Sequence, residues 1–306
     1  MRIVTLLPSA TEIVCALGLG DSLVGVSHSC NTTLLASDLP RVTSTPVPYR
    51  EDSETIDSFV RDHLDGNDAL YDLDMEQLRA ARPEIVISQA LCDVCAVSTG
   101  DVESAICTLP SRPVLIDLQP NTLQEVFDDI MRVAVHLDVR ATGWKLLSGL
   151  QERVDRISKT TGAISPDAQP RVAFLEWLHP PFNGGHWNPE LVELAGGIDL
   201  LGAPGKPSST LNWPAVVESR PDVLFIACCG FRVDRALEDI ELIGKTAEWQ
   251  ELPAVKNGRV YVADGNDYFA CPGPKLVDSL EILAHALHPD RHADPAAGAC
   301  LQLGAT

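Results

Sequence analysis

Short apolar runs alternate with segments of helical spacing along residues 1–119. Strands that alternate with helices build parallel sheets, so this part predicts an N-terminal α/β lobe. Ser9, with Glu12 three positions later, predicts the N-cap and capping box of the first helix. The predicted strands are residues 3–7, 23–27, 83–88 and 114–117, and the main predicted helices are residues 9–17 and 74–81.

A single long helix is predicted next, because apolar residues keep helical spacing from residue 122 to about residue 159. It would measure roughly 50 Å at 1.5 Å per residue, and it forms a predicted connection over residues 120–161. The alternating pattern then returns over residues 168–288, which predicts a second α/β lobe. The tail at residues 289–306 is rich in Ala, Gly, Asp and Pro and is predicted to be disordered.

The two predicted lobes resemble each other in sequence. Residues 81–87 read ARPEIVI and residues 219–225 read SRPDVLF. Residues 17–25 and 194–202 match in the same order, each with glycine where a helix should end. Two ordered matches favour an internal repeat of one α/β unit over coincidence.

Composition excludes several classes of function. The 306 residues carry a formal net charge of −20, which repels nucleic acid, and no apolar run is long enough for membrane insertion. Nine cysteines without regular spacing argue against a disulfide scaffold. The chain begins directly with a predicted strand, so we expect a cytoplasmic protein, or a periplasmic one if a signal precedes or has been removed. We also expect a monomer.

Chemistry-bearing side chains concentrate in the loops that follow the predicted strands. Ligands of open parallel sheets bind beyond the carboxyl ends of strands, and aromatic faces suit a large flat ligand. Only 5% of the chain is aromatic, so the enrichment in these loops is informative. For Trp187 and Phe231 the alternative is that they pack over the core. The candidate ligand-binding residues are Ser9, Thr11, Gln89, Trp177, His179, Phe182, His186, Trp187, Phe231, Arg232, Tyr268 and Phe269.

Four cysteines are candidate metal ligands. Cys92 and Cys95 form a C-x-x-C pair after a predicted strand, and Cys228 and Cys229 follow another. Thiolates would suit zinc, iron or cobalt, with His179 and His186 available to complete a site. A redox pair and plain buried thiols remain alternatives for the C-x-x-C pair.

Several motifs mark a resemblance to a known family. Residues 7–12, LPSATE, resemble the opening of the helical-backbone (class III) periplasmic solute-binding proteins. Residues 88–97, 176–187, 228–231 and 272–278 resemble a cobalamin-binding branch of that family. The resemblance implies two Rossmann-like lobes with parallel sheets joined by a long backbone α-helix. It also implies a cobalamin or related corrinoid held in the interlobe cleft, and an ABC permease as partner.

Two further hypotheses concern the chemistry. His186 or Cys92 would contact the cobalt of a bound corrinoid directly. The alternatives to a corrinoid are a bare metal ion or siderophore, or a thiol- or metal-dependent enzyme. The chain has no phosphate-binding glycine loop, no G-x-S-x-G elbow and no H-E-x-x-H, so a binding protein is favoured over an enzyme.

Overall fold

The computed structural model describes residues 1–30, 38–66, 70–89, 99–293, 295 and 298–304. The chain divides into two compact units, each with its own β-sheet. Unit 1 comprises Met1–Glu51, Thr55–Pro120 and Gln124–Ser148, and unit 2 comprises Asp52–Glu54, Asn121–Leu123 and Gly149–Thr306.

Unit 1 is built on a parallel sheet of order β2-β1-β5-β6. A small antiparallel pair, β3 and β4, lies apart from it. The strands are β1 (Ile3–Thr5), β2 (Leu23–Gly25), β3 (Thr43–Ser44), β4 (Asp72–Leu73), β5 (Ile85–Gln89) and β6 (Val114–Leu118). The helices that begin before residue 149 are α1 (Pro8–Ala16), α2 (Ser53–Asp65), α3 (Met75–Ala81), α4 (Thr99–Thr108), α5 (Leu123–His136) and α6 (Arg140–Thr161).

Unit 2 has a mixed sheet of order β12-β11-β10-β7-β8, with β9 paired to the start of β7. Strands β7, β10 and β11 are parallel, whereas β8 and β12 run antiparallel to their neighbours. The strands are β7 (Arg171–Leu178), β8 (Pro181–Asn183), β9 (Ile198–Asp199), β10 (Val223–Ile226), β11 (Val260–Ala263) and β12 (Cys300–Leu303). The helices are α7 (Asn188–Leu194), α8 (Trp213–Glu218), α9 (Val233–Ile243), α10 (Ala247–Glu251), α11 (Pro253–Lys256) and α12 (Leu276–Leu287).

The cores explain the uninterrupted apolar runs of the sequence. Strands β1, β5, β10 and β11 are buried along their whole length, as parallel strands covered on both faces require. In unit 2 the Phe225 ring lies 5.3 Å from Phe174 and 5.2 Å from Phe269, measured between centroids. The predicted two-lobed α/β class is therefore confirmed. No helix in the described part of the chain combines the length and apolar character that crossing a membrane requires.

The prediction of one unbroken helix over residues 122–159 is wrong. Helix α5 ends at His136, and Asp138 follows in the left-handed region with φ +57°. The Val139 N–H then bonds to the Ala134 carbonyl at 2.9 Å, which is a helix-terminating bond. A Cβ on Gly143 would lie 2.6 Å from the Ala134 Cβ, so this glycine permits α6 to pack closely against α5.

Two smaller predictions are also corrected. Residues 300–303 of the tail are not disordered but form β12, which pairs antiparallel with β11. Ser9 is not the N-cap of α1, because Leu7 occupies that position and Pro8 begins the helix. The rigid φ of proline suits the first helical turn, so the helix starts two residues earlier than the capping pattern indicates.

Candidate ligand-binding site

Three parallel strands of unit 2 end side by side. Because β7, β10 and β11 are adjacent and parallel, their carboxyl ends lie along one edge of the sheet. Predicted site residues follow each of the three strands at this edge. Trp177 and His179 come from β7 and its turn, Arg232 follows β10, and Tyr268 follows β11. The sequence prediction therefore assigns these residues to a common edge, as the rule for open α/β sheets expects.

Trp177 and Phe182 form an aromatic pair on the β7–β8 hairpin. The two residues are directly opposite in the antiparallel register, so their side chains project from the same face. Both are half-buried. The Trp177 indole Nε1 donates to the Ser53 carbonyl at 3.2 Å, and its ring lies 4.8 Å from that of Phe231. These contacts fix the pair, which we call the aromatic platform.

The Glu176 carboxylate forms hydrogen bonds to the loops beside the platform. Its Oε2 accepts hydrogen bonds from the Gly185 N–H at 3.0 Å and from Asn188 Nδ2 at 3.4 Å, and Ser208 also bonds to the carboxylate. Burial raises the pKa of Glu176, and these bonds oppose the rise. Sequence reasoning missed this residue. The available signal was a carboxylate at the end of an otherwise apolar strand.

The two histidines of this edge have different environments. Glu54 Oε2 lies 3.3 Å from His179 Nε2, at the exposed side of the turn. His186 is half-buried and bonds through Nδ1 to Asn121 Oδ1 at 3.2 Å. Burial lowers the pKa of His186. At neutral pH the His186 imidazole is therefore uncharged. Sequence reasoning could not identify Asn121 as its partner, because the two residues are 65 positions apart.

Polar and aromatic groups also line the ends of β10 and β11. Arg232 Nη2 lies 3.2 Å from Asp267 Oδ2, and Lys275 Nζ lies 5.8 Å from the centroid of the Tyr268 ring. Residues Gly265–Phe269 form a π-helical turn, in which Asp264 accepts a bond from the Asp267 N–H. Burial raises the pKa values of Asp264 and Tyr268. Such turns recur at functional sites.

Three of the aromatic residues predicted to bind the ligand are buried in the core of unit 2. Trp187, Phe231 and Phe269 are 4%, 2% and 1% exposed, respectively. Trp187 Nε1 donates to the Phe269 carbonyl at 2.9 Å, which ties α7 to the π-helical turn. Packing over the core, which was the alternative interpretation for Trp187 and Phe231, agrees with this burial. Phe231 contacts the Trp177 ring of the platform, whereas Phe269 packs against Phe174 and Phe225.

The predicted site residues of unit 1 form a buried polar cluster. Ser9, Thr11 and Gln89 are each at most 5% exposed. The Thr11 hydroxyl bonds to that of Thr5 at 2.7 Å, and Ser9 Oγ donates to Gln89 Oε1 at 3.5 Å. These contacts join the start of α1 to the ends of β1 and β5.

The cysteine predictions divide into two groups. Cys92 and Cys95 lie outside the described residues. Cys228 is buried, and burial raises the pKa of its thiol so that the protonated form persists, whereas Cys229 is exposed. Within the described ranges, no group of three His, Cys, Asp or Glu side chains is placed to hold a metal ion.

Comparisons with known proteins agree with this architecture. Residues 3–266 match the family described as periplasmic binding protein. The Vitamin B12-binding protein of Vibrio cholerae is 25% identical over 285 residues, which cover 92% of this chain and 86% of that protein. The ABC transporter substrate-binding lipoprotein YvrC of Bacillus subtilis, itself uncharacterized, is 24% identical over 94% of this chain and 80% of its own length.

A solved structure shows the same fold. A periplasmic heme binding protein from Pseudomonas aeruginosa superposes with a TM-score of 0.73 at 18% identity, covering 100% of this chain and 99% of that chain. These similar proteins are binding proteins and not enzymes, as the sequence predicted. The expected cytoplasmic location is not supported, since the matched family is described as periplasmic and one relative is a lipoprotein.

Proposed function

Because the chain belongs to the periplasmic binding protein family, we propose that it binds a flat, metal-containing macrocycle, with cobalamin or a related corrinoid as the first candidate. The proposal is supported by similar proteins whose names give vitamin B12 and heme as their ligands. Both of these molecules present a planar ring around a central metal. A binding site for such a ligand must offer an extended apolar surface for the ring and polar groups around that surface.

The aromatic platform is the observation that favours this class of ligand. Trp177 and Phe182 project from one face of the hairpin at the carboxyl edge of the sheet, and both are half-exposed. Neighbouring turns offer the His186 imidazole, the Arg232 guanidinium and the Tyr268 phenol. A macrocycle would bury its face on the platform, while its polar substituents bond to the surrounding groups.

The test is a titration of the reduced protein with aquocobalamin, followed by absorbance and by co-elution on gel filtration, with haemin titrated in parallel. We expect saturable binding of one of the two. Replacing both platform residues (W177A/F182A) should weaken binding at least about tenfold, which corresponds to about 1.4 kcal/mol. The control is Trp144→Ala, which removes an aromatic side chain that is 62% exposed on α6 in unit 1.

Failure has a defined form. If neither macrocycle co-elutes with the wild-type protein, the proposed ligand class is wrong, and a bare metal ion or a siderophore takes its place. If a macrocycle binds and W177A/F182A binds equally well, the ligand class stands but the platform is not its binding surface.

We further propose that the protein delivers this ligand to an ABC permease and acts as a monomer. The support is the relative described as an ABC transporter substrate-binding lipoprotein. Loss of the gene should lower cellular accumulation of the corrinoid, and gel filtration with light scattering should give the mass of one chain. Unchanged accumulation would contradict the delivery role without affecting the binding.

A further inference from the structure

His186 is held in one orientation by its backbone and its ring. Its N–H donates to the Lys206 carbonyl at 2.5 Å, and its own carbonyl accepts from the Gly205 N–H at 2.9 Å. The imidazole centroid lies 5.6 Å from that of Trp187, with 32° between the planes. Trp187 is a core residue, so the ring rests on a rigid neighbour. The side chain is therefore positioned before any ligand arrives.

The hydrogen bond to Asn121 selects the tautomer of His186. The amide oxygen Oδ1 can only accept, so the imidazole proton lies on Nδ1, and Nε2 presents a lone pair. Among the residues that the structure describes, none forms a hydrogen bond with Nε2. A metal-binding histidine characteristically donates its other ring N–H to an oxygen acceptor, which fixes the ring and the tautomer.

The backbone of His186 is strained. Its φ is +53°, in the left-handed region, where a residue other than glycine costs about 1–2 kcal/mol. Gly184 and Gly185 precede it directly, so the chain already places glycines in this turn. Glycine at position 186 would avoid this strain, yet the chain has histidine there. Strain of this kind concentrates at functional sites.

We propose that Nε2 of His186 coordinates the cobalt of the bound corrinoid, with Asn121 as the residue that positions the ring. The inference rests on the proposed function and deepens it. A water molecule on the metal leaves as the Nε2 lone pair forms the new bond. No proton moves, because Nε2 carries none, and the oxidation state of the metal does not change.

Cobinamide reduced to Co(II) is the probe, because this corrinoid lacks the nucleotide base that otherwise supplies a nitrogen ligand. Electron paramagnetic resonance of the wild-type complex should show a nitrogen triplet on the cobalt lines. Protein grown with ¹⁵N-histidine should convert the triplet to a doublet. The principal variant is His186→Asn, because asparagine tolerates the left-handed conformation and removes the imidazole. It should lose the splitting.

Two further variants separate coordination from a structural effect. His179→Asn removes the other histidine of this edge and should keep the triplet. Asn121→Ala frees the ring and should broaden the splitting, while the thermal midpoint stays close to that of the wild type.

Two outcomes overturn the inference alone: cobinamide that co-elutes with the wild type without nitrogen splitting, or a triplet that persists in His186→Asn. If cobinamide does not co-elute with the wild type at all, binding of a corrinoid ring is excluded and the inference is excluded with it. Co-elution thus distinguishes failure of the ligand assignment from failure of the coordination.

Discussion

The Arg171 N–H donates a hydrogen bond of 3.0 Å to Asp222 Oδ2, and the Asp222 N–H donates one of 2.8 Å to the Arg171 carbonyl. Unit 1 repeats this reciprocal pair. The Arg2 N–H bonds to Glu84 Oε2 at 2.8 Å, and the Glu84 N–H bonds to the Arg2 carbonyl at 2.9 Å. In each unit the pair joins the first strand to the strand that follows the Arg-Pro dipeptide. The same reciprocal hydrogen-bond pair therefore occurs within each unit, in addition to the similar sequence pattern.

Asp222→Ala should destabilise unit 2 by about 1 kcal/mol, because the Arg171 N–H loses its carboxylate acceptor at a solvent-exposed position. Asp222→Asn retains an amide oxygen and should cost less. The measurement is urea unfolding followed by tryptophan fluorescence. The control is Asp167→Ala, which removes an exposed carboxylate from the preceding turn. Equal midpoints for Asp222→Ala and the control would show that the reciprocal pair does not stabilise the sheet.

Arg153 should contribute more than a typical surface ion pair. Its Nη2 lies 2.5 Å from Asp278 Oδ1 and 2.7 Å from Glu281 Oε2, and these contacts tie α6 to α12 within unit 2. The two carboxylates raise the pKa of Arg153, so its charge is permanent. Arg153→Met should lower the free energy of unfolding by about 1–3 kcal/mol, since the network is half-buried and bidentate. Arg156→Met, at an exposed position on the same helix, should change it by less than about 0.5 kcal/mol.

Asp129 predicts a pH dependence of stability. Burial raises the pKa of Asp129 to about 6, although Arg132 Nη2 lies 2.5 Å from its Oδ1 and opposes the rise. Between pH 3.8 and about 6, the folded protein therefore retains a proton that the unfolded chain has lost. The stabilising contribution of this group is complete below that interval and is lost as the pH rises through it.

Asp129→Asn cannot titrate, so its free energy of unfolding should fall less than that of the wild type as the pH rises from 4 to about 6. Denaturant unfolding at closely spaced pH values measures both slopes. Asp128→Asn removes the smallest of the influences on the Asp129 pKa, so its slope should differ from that of the wild type by less than the slope of Asp129→Asn does. Parallel curves for Asp129→Asn and the wild type would contradict the prediction.

Gly185 should not tolerate a side chain. A Cβ at this position would lie 2.3 Å from the Ser208 N and 3.0 Å from the Pro207 carbonyl carbon, both backbone atoms that cannot move independently. Gly185→Ala should therefore destabilise unit 2 by about 1–3 kcal/mol and displace the loop before His186. Gly149→Ala is the matched control, since a Cβ added at this position inside α6 would have nothing within 4 Å. That substitution should leave stability unchanged or raise it by up to about 1 kcal/mol. Thermal melts of both variants test this difference.

The sequence predicted those parts of the fold that depend on local pattern. Apolar runs identified β5, β10 and β11 because these strands are buried on both faces. The repeat was visible because both units carry an Arg-Pro dipeptide before a buried strand. In the structure Arg82 and Arg220 both adopt positive φ, at +43° and +49°. The break after α5 was missed because the spacing of apolar residues continues through it, and only the left-handed Asp138 interrupts the helix.

The site was predictable to a lesser degree, because exposure depends on packing. Trp177 and Trp187 are equally aromatic and lie in the same segment, yet only Trp177 is half-exposed. The sequence alone cannot show which of the two rings is buried by other residues. Nor can it pair His186 with Asn121 or assign Glu176 to three loop groups, since those contacts join residues that are distant along the chain or in separate turns.

Strand β12 has a practical consequence for anyone preparing this protein. Residues 300–303 pair with one edge of β11, whose four residues VYVA are all buried. A truncation that removes the tail as if it were disordered would also remove β12. The edge of β11 would then expose unpaired backbone N–H and C=O groups. An unpaired strand edge of this kind is a template for strand-to-strand association between molecules. Precipitation of a shortened protein would therefore be explained by the lost β11–β12 pairing and not by an insoluble fold.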